Sequence, residues 1–168
     1  MQSLVTQKSN PFARNHKLRD ASYEAVYDVM VRDASVHLFG EGATAKVHYD
    51  APAIERDFSE RVHTMPISED GNTNFAVGAS LLGVKPIVDV ISSDFLYRTM
   101  DSICNTAAKL NFVRPGEESR TIVIRAEFLT GGPTTGQRPE ALFAHIPGLR
   151  VVIPSTPNDA YGLMRSAL

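Results

Sequence analysis

No stretch constrains the fold of this chain more than Pro86 to Ile91, an apolar run presented on both faces of one short segment. A strand that hides both faces belongs in the middle of a parallel sheet, with helices above and below it. The flanking pattern agrees. Val36-His37-Leu38-Phe39 predicts a short strand stopped by Gly40-Glu41-Gly42, and Val62 to Met65 predicts another, ended by Pro66. Ile122 to Ile124 predicts a fourth strand and Arg150 to Ile153 a fifth.

Helical spacing fills the gaps. Over 18–32, Leu18, Ala21, Ala25, Val26, Val29 and Met30 share one apolar face while Asp20, Glu24 and Asp28 face away. Ala53 to Glu60, after Pro52, suits a short helix. Ser68 is placed to cap a helix carrying Ala76, Ala79, Ser80 and Leu82, with Gly83 near its end. A longer helix over 94–110 is expected behind Ser93 or Asp94, and a short one over 138–144 leads to Pro147-Gly148. Thr156 caps a last helix, with Pro157 at the first position, where a missing amide costs nothing. Strands and helices alternate, so the expected class is α/β: an open, mostly parallel twisted sheet with helices on both faces.

At 168 residues the chain suffices for one domain with a real core. Residues 1–17 read as a flexible leader and 18–168 as the domain. The leader region is basic and free of acids through Arg19, but Pro11 interrupts any amphipathic helix, which weakens an organelle transit reading. An ordinary balance of 43% apolar and 21% charged residues excludes disorder. A net charge of −2, both signs dispersed, argues against nucleic acid as a partner, and no apolar run suits a membrane helix. The lone Cys104 suits a reducing compartment and a small apolar role inside a helix; the expected location is the cytoplasm.

Few residues are placed for chemistry. The five histidines show no metal-ligand spacing, so no metal ligands are assigned, and there is no nucleophile elbow. The Gly131 to Gly136 loop lacks a P-loop ending and reads as an active-site or interface loop. Glu69 opens a helix just after a strand, where it either favours the helix dipole or serves chemistry at the sheet edge. Glu41 lies just past the first strand, with an exposed loop acid as the bland alternative. Phe95 suits a core position, and Asp94 suits a cap.

Taken in order, Met65-Pro66-Ile67-Ser68-Glu69, Ala76-Val77-Gly78-Ala79, Lys85-Pro86-Ile87-Val88-Asp89, Asp94-Phe95 and Asn105-Thr106-Ala107-Ala108-Lys109 carry a resemblance. The chain resembles the β-subunit of the thiamine-diphosphate-dependent 2-oxoacid dehydrogenases, the pyruvate, acetoin and branched-chain E1 type. The resemblance covers nearly all of 36–168 and implies a transketolase-like pyrimidine-binding domain. It implies Glu69 as the catalytic glutamate facing the aminopyrimidine ring of thiamine diphosphate, with Phe95 packing that ring and Glu41 supporting the site. Asn105, Lys109 and Arg125 match structural polar positions of the family.

The chain has no Gly-Asp-Gly motif for Mg²⁺ and diphosphate, so the resemblance implies that an α-type subunit holds both and that the cofactor is shared in a hetero-oligomer or dimer. It departs from the family in three places. Thr135-Gly136-Gln137 stands where His-Ser-Gln is usual, which removes a neutral-pH acid–base group. The segment between Glu41 and Glu69 lacks the family's glycine-aromatic pattern, and the chain is expected to stop before the domain's last strand and the C-terminal domain. A split transketolase or deoxyxylulose-phosphate synthase-type subunit is one alternative; a non-catalytic scaffold or regulatory relative is the other.

Overall fold

The computed structural model describes residues 17–41, 52–115 and 120–168. Within it, α1 (Leu18–Arg32), β1 (Val36–Gly40), α2 (Pro52–Phe58), β2 (Val62–Thr64), α3 (Glu69–Leu81) and β3 (Lys85–Ser92) follow one another. Then come α4 (Leu110–Val113), β4 (Val123–Glu127), α5 (Glu140–Ala144) and α6 (Pro157–Ala167). The expected leader lies outside the described residues except for Lys17, as does most of the stretch directly after Glu41.

The four strands form one parallel sheet in the order β2-β1-β3-β4. Leu38 aligns with both Val62 and Ile87, and Val88 with Ile124, so β3 is central. Both its faces are covered, as its apolar run requires. Ile87 joins Tyr23, Val26, Tyr27 and Met30 of α1, Leu38, Ile54 and Val62 in the larger core. Val88 and Val90 point the other way, to Ala76 of α3 and Leu96. Each such side chain contributes about 1.5–3 kcal/mol by leaving water. Helix α6 lies along α1, tied by the Tyr161 hydroxyl donating to Asp28 Oδ2 at 2.7 Å. The expected Thr156 cap forms, its Oγ1 accepting from the Asp159 amide at 3.1 Å behind Pro157.

Three local expectations give way. The stretch 150–153 joins no ladder: Val152 is 55% and Ile153 60% exposed. Apolar, β-branched residues make a strand only when a neighbour offers a pleated surface and paired amides. The single helix over 94–110 is instead a 3₁₀ helix (Ser93–Thr99), a π segment (Ser102–Thr106) and another 3₁₀ turn (Ala107–Lys109). Hydroxyls compete for its carbonyls, Thr99 donating to Leu96 O at 2.8 Å and Ser102 to Thr99 O at 3.1 Å. Cys104 is half-buried in that π segment, and burial pushes its thiol up. Finally, neither Ser68 nor Ser93 nor Asp94 caps with its side chain; Ser92 does so, accepting from the Asp94 amide.

Candidate functional site

The strand order 2-1-3-4 sends the chain outward from β1 to β2 on one side and from β3 to β4 on the other. The crevice between the carboxyl ends of β1 and β3 is therefore a topological switch point, where open α/β sheets bind ligands. Glu41 directly follows β1, Glu69 follows β2 after a short connection, and the segment bearing Phe95 begins directly after β3. Gly40 lets the edge close up. A Cβ there would meet the Asp89 carbonyl at 3.0 Å and the Asp89 Cβ at 3.1 Å.

Glu69 is the first residue of α3 and is 7% exposed. A carboxylate there gains from the partial positive charge of the helix start, which offsets part of its burial. Its side chain meets the guanidinium of Arg98, whose Nε lies 3.2 Å from Glu69 Oε2 although Arg98 itself is 74% exposed. Glu41 Oε1 accepts the Ser68 amide at 3.0 Å, tying the end of β1 to the residue before Glu69. Burial pushes the Glu41 carboxyl up and the Glu69 charge adds to the rise, while the Ser68 amide and Arg98 oppose it. Glu41, Glu69 and Arg98 thus form one electrostatic unit.

Phe95 belongs to the same wall. In a 3₁₀ helix, residues three apart eclipse, so Phe95 lies on the stripe of Arg98, which touches Glu69. Its ring is 36% exposed, leaving apolar surface for a ligand. Glu41, Glu69 and Phe95 all lie on segments that leave the carboxyl edge of the sheet, and Arg98 links the Phe95 segment to Glu69.

Asp94 has a different part from the one expected of it. Its buried carboxylate receives the Gly136 amide at 3.2 Å, the Gln137 amide at 2.9 Å and the Ser92 hydroxyl at 2.6 Å. Ser93 adds a hydroxyl bond to the Gln137 carbonyl at 3.0 Å. The loop carrying Thr135 is thereby pinned to the residue beside Phe95. These bonds, the Ser92 hydroxyl foremost, hold the Asp94 carboxyl below its ordinary range.

Arg125 is buried in a structural network, Nη2 lying 3.1 Å from Glu127 Oε1 and 3.8 Å from Asp89 Oδ2, with the guanidinium 4.0 Å above the Tyr23 ring. Two open hollows, of about 540 and 450 Å³, are lined by none of Glu41, Glu69 or Phe95. No group of three or more His, Cys, Asp or Glu side chains could hold a metal among the described residues.

The family of the transketolase pyrimidine-binding domain matches residues 14–168. The chain belongs to that family. As a pyrimidine-binding domain it is 33% identical over 162 residues to the mitochondrial pyruvate dehydrogenase E1 component subunit beta-2 of Oryza sativa subsp. japonica, spanning 93% of this chain and 43% of that protein. It is 34% identical to the acetoin:2,6-dichlorophenolindophenol oxidoreductase subunit beta of Cupriavidus necator, spanning 93% of this chain and 51% of the relative. The 2-oxoisovalerate dehydrogenase subunit beta of Bacillus subtilis is likewise 34% identical, over 89% of this chain and 47% of its own. The pyrimidine-binding domain thus spans about half the length of these curated relatives. A solved structure titled a split gene transketolase, inactive beta4 tetramer, shares the fold with a TM-score of 0.73 at 18% identity, over 89% of this chain and 47% of that one.

Sequence reasoning missed Arg98 and the clamp by Asp94. Neither carries a local signal: Arg98 and Glu69 lie 29 residues apart, and the clamp joins positions 42 and 43 residues apart.

Proposed function

We propose that this domain is the pyrimidine-binding half of a thiamine-diphosphate-dependent 2-oxoacid dehydrogenase or decarboxylase-type enzyme, with Glu69 as its catalytic residue. One observation carries the reading: a buried carboxylate at the switch-point edge, paired with Arg98 of the segment that also presents the exposed Phe95 ring. The carboxylate and the ring fit an aminopyrimidine, which offers a nitrogen at its edge and a flat face.

When bound, thiamine diphosphate supplies the carbon nucleophile that attacks a substrate carbonyl. Glu69 holds a proton at the ring nitrogen N1′, in a site dry enough for that proton to be shared. Phe95 packs the ring, and Glu41 braces Ser68 at the entrance to α3, so the carboxylate keeps its place. Glu69 is buried at the carboxyl edge of the sheet beside the exposed Arg98 guanidinium, which supports a cleft completed by a second wall. We assign that wall to an α-type subunit that also holds Mg²⁺ and the diphosphate, in a hetero-oligomer or dimer. The names of the similar subunits support that pairing. We also keep the cytoplasm as the proposed location.

The test is Glu69→Gln in enzyme reconstituted with an α-type subunit, scored on a panel of 2-oxo acids and sugar phosphates. Turnover is expected to fall by about a hundredfold or more with assembly intact. Near-normal turnover would refute the assignment, and preference for sugar phosphates would move the domain to the split transketolase class. Thr135 in the loop position where histidine is usual favours a second reading, a non-catalytic scaffold. Absence of thiamine diphosphate binding by calorimetry, with Mg²⁺ and with or without the α-type subunit, would support it.

A further inference from the structure

Arg98 stands out in the site because its two ends live in different surroundings. Its side chain is 74% exposed, yet its Nε reaches a carboxylate whose side chain is only 8% exposed. A buried carboxylate without a cation is costly, whereas an exposed guanidinium returns to water at little cost. The pair is therefore asymmetric. Glu69 depends on Arg98 far more than Arg98 depends on Glu69.

Among the described residues Arg98 has the ion pair with Glu69 and a weaker field at Glu41, and no other bond fastens it. It stands one 3₁₀ turn beyond Phe95, on the same stripe, and its Nε touches Glu69, so a ring that packed on Phe95 and reached the Glu69 carboxylate would meet the guanidinium there. A ring nitrogen and the guanidinium would compete for one carboxylate.

We propose that Arg98 is a displaceable counter-ion: it neutralises Glu69 in the empty domain and swings out to solvent when an aminopyrimidine takes its place. This rests on the assignment of Glu69 to the ring. Arg98 is a positioning residue that acts through Glu69, setting how tightly the cofactor is held and protecting the empty fold from a bare buried charge.

The test is calorimetric titration of thiamine diphosphate with Mg²⁺ into the complex of this chain with an α-type subunit. Wild type, Arg98→Gln, Arg98→Lys, Glu69→Gln and the double variant are compared. Arg98→Gln is expected to bind the cofactor about three- to tenfold more tightly, since no ion pair must be broken, while Arg98→Lys returns toward wild type. In the Glu69→Gln background the Arg98 substitution is expected to change nothing, because the two residues act as a pair. Unchanged or weaker binding by Arg98→Gln, or the same gain without Glu69, would overturn the counter-ion role. Wild-type affinity in Glu69→Gln would overturn the underlying assignment instead, so the two failures are distinguishable. A purely structural Arg98 would lower affinity and stability together, the opposite sign in binding.

Discussion

The carboxylate of Asp94 receives the backbone amide of Gln137 at 2.9 Å, across 43 residues of sequence. That bond, with its neighbour from Gly136, makes one rigid unit of the Phe95 segment and the loop bearing Thr135. Replacing Asp94 by Ala should free both amides. Hydrogen exchange at Gly136 and Gln137 is expected to quicken about tenfold or more, with the amides of β3 unchanged. Because the folded carboxyl is held below its ordinary value, its contribution is complete above that value and fades as pH falls through the lowered one. Wild-type loop protection should therefore persist at neutral pH and fail only in acid. Slow exchange in the Ala variant would show that other contacts hold the loop.

Arg125 of the edge strand β4 faces Asp89 of its inner neighbour β3, in register, with both side chains almost wholly buried. Truncating Arg125 to Ala removes the cation facing a buried carboxylate and the packing over Tyr23. The expected cost is about 3–5 kcal/mol in urea unfolding. The pairwise replacement Asp89→Asn with Arg125→Met should cost clearly less, since no buried charge is stranded. Equal losses in the two variants would argue that packing, and not charge, decides.

Gly148 has φ of +94°, and a Cβ there would run into the Ala108 carbonyl. Gly148→Ala is expected to destabilise by about 2 kcal/mol or more, seen as a lower Tm. Gly78 provides the contrast: it is exposed inside α3 with nothing within 4 Å of a new Cβ. Gly78→Ala should therefore stabilise by about 0.5–1 kcal/mol.

His37 Nδ1 and His63 Nε2 lie 2.9 Å apart, in rings stacked along β1 and β2 with Phe39 beside them. Burial pushes both rings down from the ordinary 6.5, and the neighbouring His63 and Arg61 push His37 further. Since the fold holds the neutral rings, the unfolded chain takes up protons first. Stability is complete above about pH 6.5 and falls as the pH drops through that value towards the lowered folded values. The urea midpoint should decline from pH 7 to about pH 5, and the His37→Phe, His63→Phe double variant should lose that slope. A wild-type midpoint flat over this range would remove the pair from the pH response.

What was legible from residues alone was whatever repeats within a few positions. The double-faced run of β3, the apolar stripe of α1 and the Thr156–Pro157 start of α6 are short-range patterns, and each became the expected element. Strand ends were legible for the same reason, which put Glu41 and Glu69 just past β1 and β2, whereas grouping them with Phe95 around one ring rested on the family resemblance. Tertiary structure decided the rest. Val151 to Ile153 has strand chemistry but no ladder, the segment after Asp94 leaves the α path where hydroxyls claim its carbonyls, and Arg98 meets Glu69 across 29 residues of sequence. Side-chain periodicity is set by local backbone geometry, whereas the partner of a polar group depends on which distant segment folding delivers beside it.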